Sequence, residues 1–186
     1  MKRSHLVREI VETVVLTIVI FLVIHLAIQS YHVSGTSMEP GLIDNEYVMV
    51  NKIAYLFHGP ERGDVVVFHN PQNPNEDLIK RVIGLPGDTV KTNSTEVRVN
   101  DVLLDEKAYI SAPTNTPVNP GAKTWLIPPN QYFVLGDNRP VSLDSRYIGP
   151  ILKDYIVGKA VLVFWPLNKI HFIDTHSNVF SNIKNP

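Results

Sequence analysis

The chain has 186 residues, 44% of them hydrophobic and 19% charged, which is enough apolar content for a globular core and too much for a disordered chain. With 17 Lys and Arg against 18 Asp and Glu the formal net charge is -1, so no basic field exists to hold nucleic acid by counterion release. There is no cysteine, which excludes a disulfide framework and thiolate zinc sites and leaves the compartment open.

Lys2, Arg3 and Arg8 precede an uncharged stretch, TVVLTIVIFLVIHLAIQS, from Thr13 to Ser30. Its apolar part, Val14 to Ile28 with Ile10 and Val11 as a preceding turn, is near the lower limit of about 17 residues for a spanning helix. A cleaved secretory signal would end in small residues at an A-x-A-like site. This one runs Leu26-Ala27-Ile28-Gln29-Ser30, which predicts a retained anchor over residues 10–30. The basic residues lie before it, so the positive-inside rule places residues 1–9 in the cytoplasm and everything after residue 30 outside. The competing reading is a buried amphipathic helix, whose polar face only Thr17 and His25 would supply between residues 14 and 28.

All 14 prolines fall at or after Pro40, and the rest of the chain breaks into short β-branched or aromatic runs divided by Gly, Pro, Asn and Asp, the pattern of a β-rich domain. The predicted strands are Tyr47 to Val50, Val65 to His69, Leu78 to Ile83, Thr89 to Thr92, Glu96 to Val99, Val102 to Leu104, Tyr132 to Leu135 and Ile156 to Trp165. Asn100-Asp101 reads as a two-residue hairpin turn, since both types tolerate positive φ. That hairpin is assigned to a small inserted subdomain over about 93–130, within a β-rich domain over 31–176. Five prolines between Ser111 and Pro129 predict an extended excursion. The polar tail, 177–186, is expected to fray. Ile53-Ala54-Tyr55-Leu56-Phe57 reads either as core or as an apolar surface that enters the lipid headgroups.

Ser37 lies in Ser34-Gly35-Thr36-Ser37-Met38-Glu39-Pro40-Gly41, a loop able to present a hydroxyl and free main-chain N–H groups, although serines in such loops are ordinarily turn residues. As a nucleophile it needs a base. The seven histidines stand in no triad context, which leaves a His-dependent mechanism through His32 or His69 open but without positive support, and no H-E-x-x-H or comparable pairing suggests a metal. Lys80 stands in the apolar run Leu78-Ile79-Lys80-Arg81-Val82-Ile83, where Leu78, Lys80 and Val82 share one face of a strand. Desolvation there lowers a lysine pKa and makes the neutral, proton-accepting amine available; the alternative is a lysine that snorkels to water. Arg81 stays protonated and cannot be the base. The third polar group is the loop from Gly136 to Arg146, read as a solvated turn or as a scaffold for an active-site lysine.

Four segments, S-G-T-S-M-E-P at 34–40, R-G-D-V-V-V-F at 62–68, K-R-V-I-G-L-P-G-D at 80–88 and G-D-N-R-P-V-S-L-D-S-R at 136–146, resemble in kind and order the motifs of the bacterial type I signal peptidases, from the anchor to about Trp165. The resemblance implies a mainly β fold, an antiparallel β catalytic domain with a smaller inserted β subdomain behind one N-terminal transmembrane helix. It also implies Ser37 as nucleophile, Lys80 as general base, Ser142 hydrogen-bonding the lysine amine, and Asp144 with Arg146 as a supporting ion pair. The oxyanion hole of the family uses the nucleophile's own N–H, to which some members add a serine hydroxyl two residues earlier. Here that position is Gly35, so the second donor, typically worth about 3 kcal/mol of barrier, is left unassigned. By the same correspondence Met38, Leu42 and Ile79 line the first substrate pocket and Tyr31, Val48 and Val67 the third, with Val33 between them. The implied partners are signal-peptide-bearing preproteins and the lipid bilayer, with no nucleic acid, no metal and no cofactor.

Ser37 follows Ile28 by nine residues, so an extended chain carries it at most about 30 Å from the apolar segment, close to the membrane surface. A self-cleaving repressor-type Ser/Lys protease would be cytosolic with a DNA-binding domain. A catalytically inactive adaptor on the same scaffold would have lost Ser37 or Lys80. The Ser-x-x-Lys penicillin-binding enzymes are excluded because position 40 is Pro40.

Overall fold

The computed structural model describes residues 2–93, 96–110 and 123–184. Helix α1 (Lys2–Ala27) packs no described side against a core: Val14, Val15, Leu16, Ile18, Ile20 and Ile24, which between them point all round it, are 50% to 59% exposed. A soluble amphipathic helix would bury one stripe, so the buried-helix alternative does not hold. The apolar span Val7–Ala27 has 21 residues and is about 31 Å long, matching a bilayer hydrocarbon core. The helix stops at Ala27, three residues before the predicted end of the anchor. Ile28 starts strand β1 (Ile28–His32) because its backbone is taken up by β2 (Tyr47–Asn51) in an antiparallel ladder from Ile28–Asn51 to His32–Tyr47.

Strands β3 (Val65–Asn70) and β4 (Asn73–Gly84) form the next hairpin. The four residues Val65 to Phe68 are all buried, as expected of a central strand covered on both faces. The chain then leaves for a smaller sheet of β5 (Thr89–Thr92), β6 (Val97–Val99), β7 (Val102–Leu103) and β8 (Lys123–Leu126), and returns as β9 (Gln131–Leu135) beside β4. A short helix α2 (Ser145–Ile148) and β10 (Ile151–Leu152) lead to the long β11 (Ile156–Trp165), which β12 (His171–Phe172) flanks before α3 (Ser177–Phe180). The larger sheet runs β1-β2-β11-β3-β4-β9-β10 with β12 on β11, and the smaller runs β7-β6-β5-β8. Every pairing is antiparallel. The fold is mainly antiparallel β behind one apolar helix.

Asn100 and Asp101 close the β6–β7 hairpin at φ 50° and 66°, the positive values a two-residue hairpin turn requires. The smaller sheet starts at Thr89, before the predicted 93. Of the predicted excursion, residues 111–122 lie outside the described residues and β8 occupies 123–126. Ile83, Phe133 and Leu135 of the larger sheet share one core with Val90, Val97, Val99 and Trp125 of the smaller, which ties the insertion to the body. Phe180 and Ile183 complete that core, each 6% exposed. The C-terminal tail expected to fray is therefore docked through its described part, because two apolar side chains three residues apart bury against the sheet. A buried Phe or Ile contributes about 1.5–3 kcal/mol.

Candidate active site

The register of the β3–β4 hairpin sets Lys80 opposite Val66, so its stem is enclosed by strand side chains and the residue is only 2% exposed. The Ser37 turn is fixed from both sides. Glu39 N–H donates to the Thr36 carbonyl at 3.2 Å and Leu42 N–H to the Met38 carbonyl at 2.9 Å, while Gly35, at φ 92°, points its N–H at Asp44 Oδ1, 2.7 Å away. Met38 and Leu42, each 1% exposed, root the turn in the apolar cluster of Val33, Val48, Val50, Val65 and Val67.

This geometry brings Lys80 Nζ to 2.7 Å from Ser37 Oγ, and the amine also donates to the Ile79 carbonyl at 2.7 Å. Burial pushes the Lys80 amine down to about 8 from the ordinary 10.5, against the opposing pull of the Asp144, Asp137 and Glu76 carboxylates. A lysine so placed is partly neutral near neutral pH and can accept a proton.

The loop after β9 wraps this pair. Asp144 accepts from Gly136 N–H at 3.0 Å and from Arg146 Nε and Nη2, both at 2.8 Å, so the Asp144–Arg146 pair of the sequence reading is formed and buried. Arg146 Nη2 also donates to the Arg139 carbonyl at 2.7 Å. The expected bond from Ser142 to the lysine amine is not formed. Lys80 Nζ is engaged by Ser37 and the Ile79 carbonyl, and Ser142 Oγ is buried with no hydrogen-bond partner among the described residues.

Among the described residues, four ion pairs have both side chains buried. Besides Asp144–Arg146 they are Arg62–Asp88, Arg81–Asp137 and Arg139–Glu106. Arg62 and Asp88 join the second motif to the third. Arg81, dismissed as a base, instead grips Asp137 with Nε at 2.9 Å and Nη2 at 2.8 Å and donates Nη1 to the Gly63 and Asp174 carbonyls. Asp137 and Arg139, in these ion pairs, and Asn138, which donates to the Ser37 and Thr36 carbonyls, were not singled out from the sequence. Their place inside the 136–146 motif was the available signal; for Glu106 there was none.

A cleft of about 310 Å³ opens beside Ser37 and Lys80, lined by Tyr31, Val33, Val48, Val67 and Ile79 among others. Met38 and Leu42, expected on its wall, lie behind it and line a separate cavity of about 250 Å³ with Pro40, Gly41 and Asp137, since their side chains turn inward to anchor the Ser37 turn. The cleft is also less apolar than expected, because Glu76 and Asp77 stand at its edge. Asp77 meets His69 Nδ1 at 2.6 Å. Burial, with Asp77 as hydrogen-bond partner, holds the Tyr31 phenol up at about 12.

Residues 6–165 match the family described as signal peptidase, peptidase S26. The chain belongs to that family. Among curated proteins it is 42% identical to signal peptidase IB of Staphylococcus aureus (strain MRSA252), over 78% of this chain and 82% of that protein. It is 40% identical to signal peptidase I of Leptolyngbya laminosa, over 76% of this chain and 71% of that protein. A crystal structure of a signal peptidase I from Enterococcus faecalis V583 shares 35% identity, covering 54% of this chain and 95% of that one with a TM-score of 0.45. As a member of the signal peptidase family the chain is an enzyme that cleaves signal peptides from preproteins, and its N-terminal apolar helix fits a membrane anchor.

Proposed function

We propose that cleavage proceeds at the outer membrane surface through Ser37 as nucleophile and Lys80 as general base. The observation that carries this reading is the 2.7 Å contact between the buried Lys80 amine and Ser37 Oγ. In the reactive form the lysine is neutral and the proton sits on the serine. Ser37 Oγ attacks the scissile carbonyl carbon as Lys80 Nζ takes the hydroxyl proton. The tetrahedral intermediate collapses to an acyl ester, Lys80 returns the proton to the leaving amine, and the mature chain departs with its new N-terminus. A water then enters, Lys80 removes its proton, and the ester is hydrolysed to release the signal peptide and restore Ser37. The Ile79 carbonyl holds the amine towards Ser37 before the reaction. Ser142 Oγ, buried and unpartnered, is the acceptor available when the amine rotates away from Ile79.

The substrate lies extended in the cleft, with Ile79 against its first position before the scissile bond, Tyr31, Val48 and Val67 against its third, and Val33 between. Met38 and Leu42 support the wall from behind. Residues 1–9, at the start of α1, are cytoplasmic, the remainder of α1 spans the membrane and the β domain is outside. Ile53, Leu56 and Phe57, 46%, 65% and 98% exposed, begin where Lys52 N–H meets the Ala27 carbonyl at the end of α1, a position suited to contact with lipid headgroups.

The test is to incubate the purified full chain with a preprotein beside Ser37→Ala and Lys80→Ala. Release of the mature chain by the wild type and by neither variant is expected. Release by either variant overturns the assignment.

A further inference from the structure

Glu106 belongs to no motif that marks the site. It sits on the inserted segment in a 3-10 helix, Glu106–Ala108, and is 6% exposed. Both of its carboxylate oxygens are taken by the guanidinium of Arg139, Oε2 by Nη1 at 2.8 Å and Oε1 by Nη2, and Tyr109 Oη donates to Oε1 at 2.6 Å. The Tyr109 ring in turn lies 4.7 Å from the Arg81 guanidinium, the partner of Asp137. One carboxylate thus sets two arginines that serve the catalytic loop.

Arg139 is where this reaches the chemistry. Its Nε donates to the Gly136 carbonyl at 3.1 Å and its own carbonyl receives Arg146 Nη2 at 2.7 Å, so it ties the first residues of the loop to the Asp144–Arg146 pair. Gly136 packs closely against both neighbours: a Cβ built on it would fall 2.2 Å from Ser142 Oγ and 2.5 Å from the Ser37 carbonyl, and Asn138 N–H bonds that same carbonyl at 3.1 Å. A shift of the loop is therefore a shift at Ser37. Were the ion pair only a stabilising contact, nothing would require Arg139 also to spend Nε and its carbonyl on the loop, and buried ion pairs add little stability over apolar residues of the same shape.

We propose that Glu106 is a positioning residue for the Ser37–Lys80 pair, acting through Arg139 to hold the 136–146 loop against the nucleophile. This rests on the reading of Ser37 and Lys80 as the reacting groups. Without the carboxylate, Arg139 is a buried cation without its counter-charge and is driven outward, the Gly136 carbonyl is released, and the loop that covers Lys80 loosens. Lys80 faces the carboxylates of Asp144, Asp137 and Glu76; loss of its cover leaves those attractions and removes part of the desolvation that opposes them. Its protonated form is then favoured.

The experiment measures kcat, KM and the acid limb of kcat against pH for the full chain in detergent micelles, with a short signal-peptide substrate. It compares wild type, Glu106→Gln, Glu106→Asp and Lys80→Ala, with thermal unfolding in parallel. Glu106→Gln is expected to lower kcat about ten- to a hundredfold with KM within about twofold, and to move the acid limb to higher pH. Glu106→Asp, which keeps the charge, should recover part of both. Unchanged kcat and acid limb in a folded Glu106→Gln protein, or a loss confined to KM or to melting temperature, overturns the proposal. If Glu106→Gln does not fold, wild-type kcat and acid limb in Glu106→Asp overturn it equally. Lys80→Ala separates the two ideas: activity there breaks the underlying dyad, whereas an inactive Lys80→Ala beside a wild-type-like Glu106→Gln breaks only the role of Glu106.

Discussion

Asn138 donates its main-chain N–H to the Ser37 carbonyl at 3.1 Å and its side-chain amide to the Thr36 carbonyl at 3.0 Å. Residues 102 positions apart are thereby joined, and the Ser37 turn is held by the 136–146 loop as well as by its own strands.

The tightest point of that junction is Gly136. In Gly136→Ala the new methyl would meet the Ser37 carbonyl oxygen, a main-chain atom that cannot rotate away, so the turn and the loop must part. Turnover should fall about a hundredfold or more in a protein that still shows β structure by circular dichroism. Wild-type turnover in Gly136→Ala would show that the loop does not fix Ser37.

Ser142 should separate stability from activity. Its hydroxyl is buried without a partner among the described residues, and such a group costs about 1–3 kcal/mol. Ser142→Ala should therefore unfold at the same temperature as the wild type or higher while its kcat drops, because the amine loses its alternative acceptor. A lower melting temperature with unchanged kcat would remove Ser142 from the mechanism.

The proposed specificity rests on the cleft walls. Val33, Val48, Val67 and Ile79 are branched aliphatic side chains, and forcing a bulky group against such walls in a formed pocket costs about 1–3 kcal/mol. Glu76 and Asp77 at the edge add like-charge repulsion to the desolvation of any acidic substrate side chain. In a peptide series with Ala, Val, Leu, Phe or Asp at the first or third position before the scissile bond, Ala should be cleaved best and Asp essentially not. Equal cleavage of the Phe and Ala peptides at the first position contradicts the pocket assignment.

The proposed orientation rests on Lys2, Arg3 and Arg8, which precede the uncharged stretch from Thr13 to Ser30. Protease added to intact cells or right-side-out vesicles should digest the chain beyond residue 30. Full protection until lysis would reverse the topology.

Much of the fold is legible in the sequence where one physical signal dominates. Val65 to Phe68, Thr89 to Thr92 and Ile156 to Trp165 read as strands because their β-branched and aromatic content admits little else, and Asn100-Asp101 reads as a turn because few residue pairs accept positive φ. Strand β1 is hidden: Ile28 continues the apolar run of the anchor, and only pairing with Tyr47 to Asn51 separates it. Phe180 and Ile183 are hidden in a polar tail, since two apolar residues set no period. Ser37 and Lys80 are recognisable by motif, but their contact depends on the register of β3 against β4, which no local pattern states. The arginines are harder still. Arg62, Arg81 and Arg139 would pass for solvated charges, and each is buried against a carboxylate between 26 and 56 positions away.

A lysine base requires Lys80 to be neutral, and the pH dependence of single-turnover cleavage measures that directly. Only the neutral amine accepts the Ser37 proton, so lowering the pH removes the base. With the amine set at about 8, cleavage should decline below that pH, approaching about tenfold per pH unit for one proton. Lys80→Arg, which keeps the charge on a guanidinium that does not deprotonate, should be inactive throughout. Cleavage by Lys80→Arg, or a wild-type profile that stays flat from pH 8 down to 6, would contradict a lysine base and move that role to another residue.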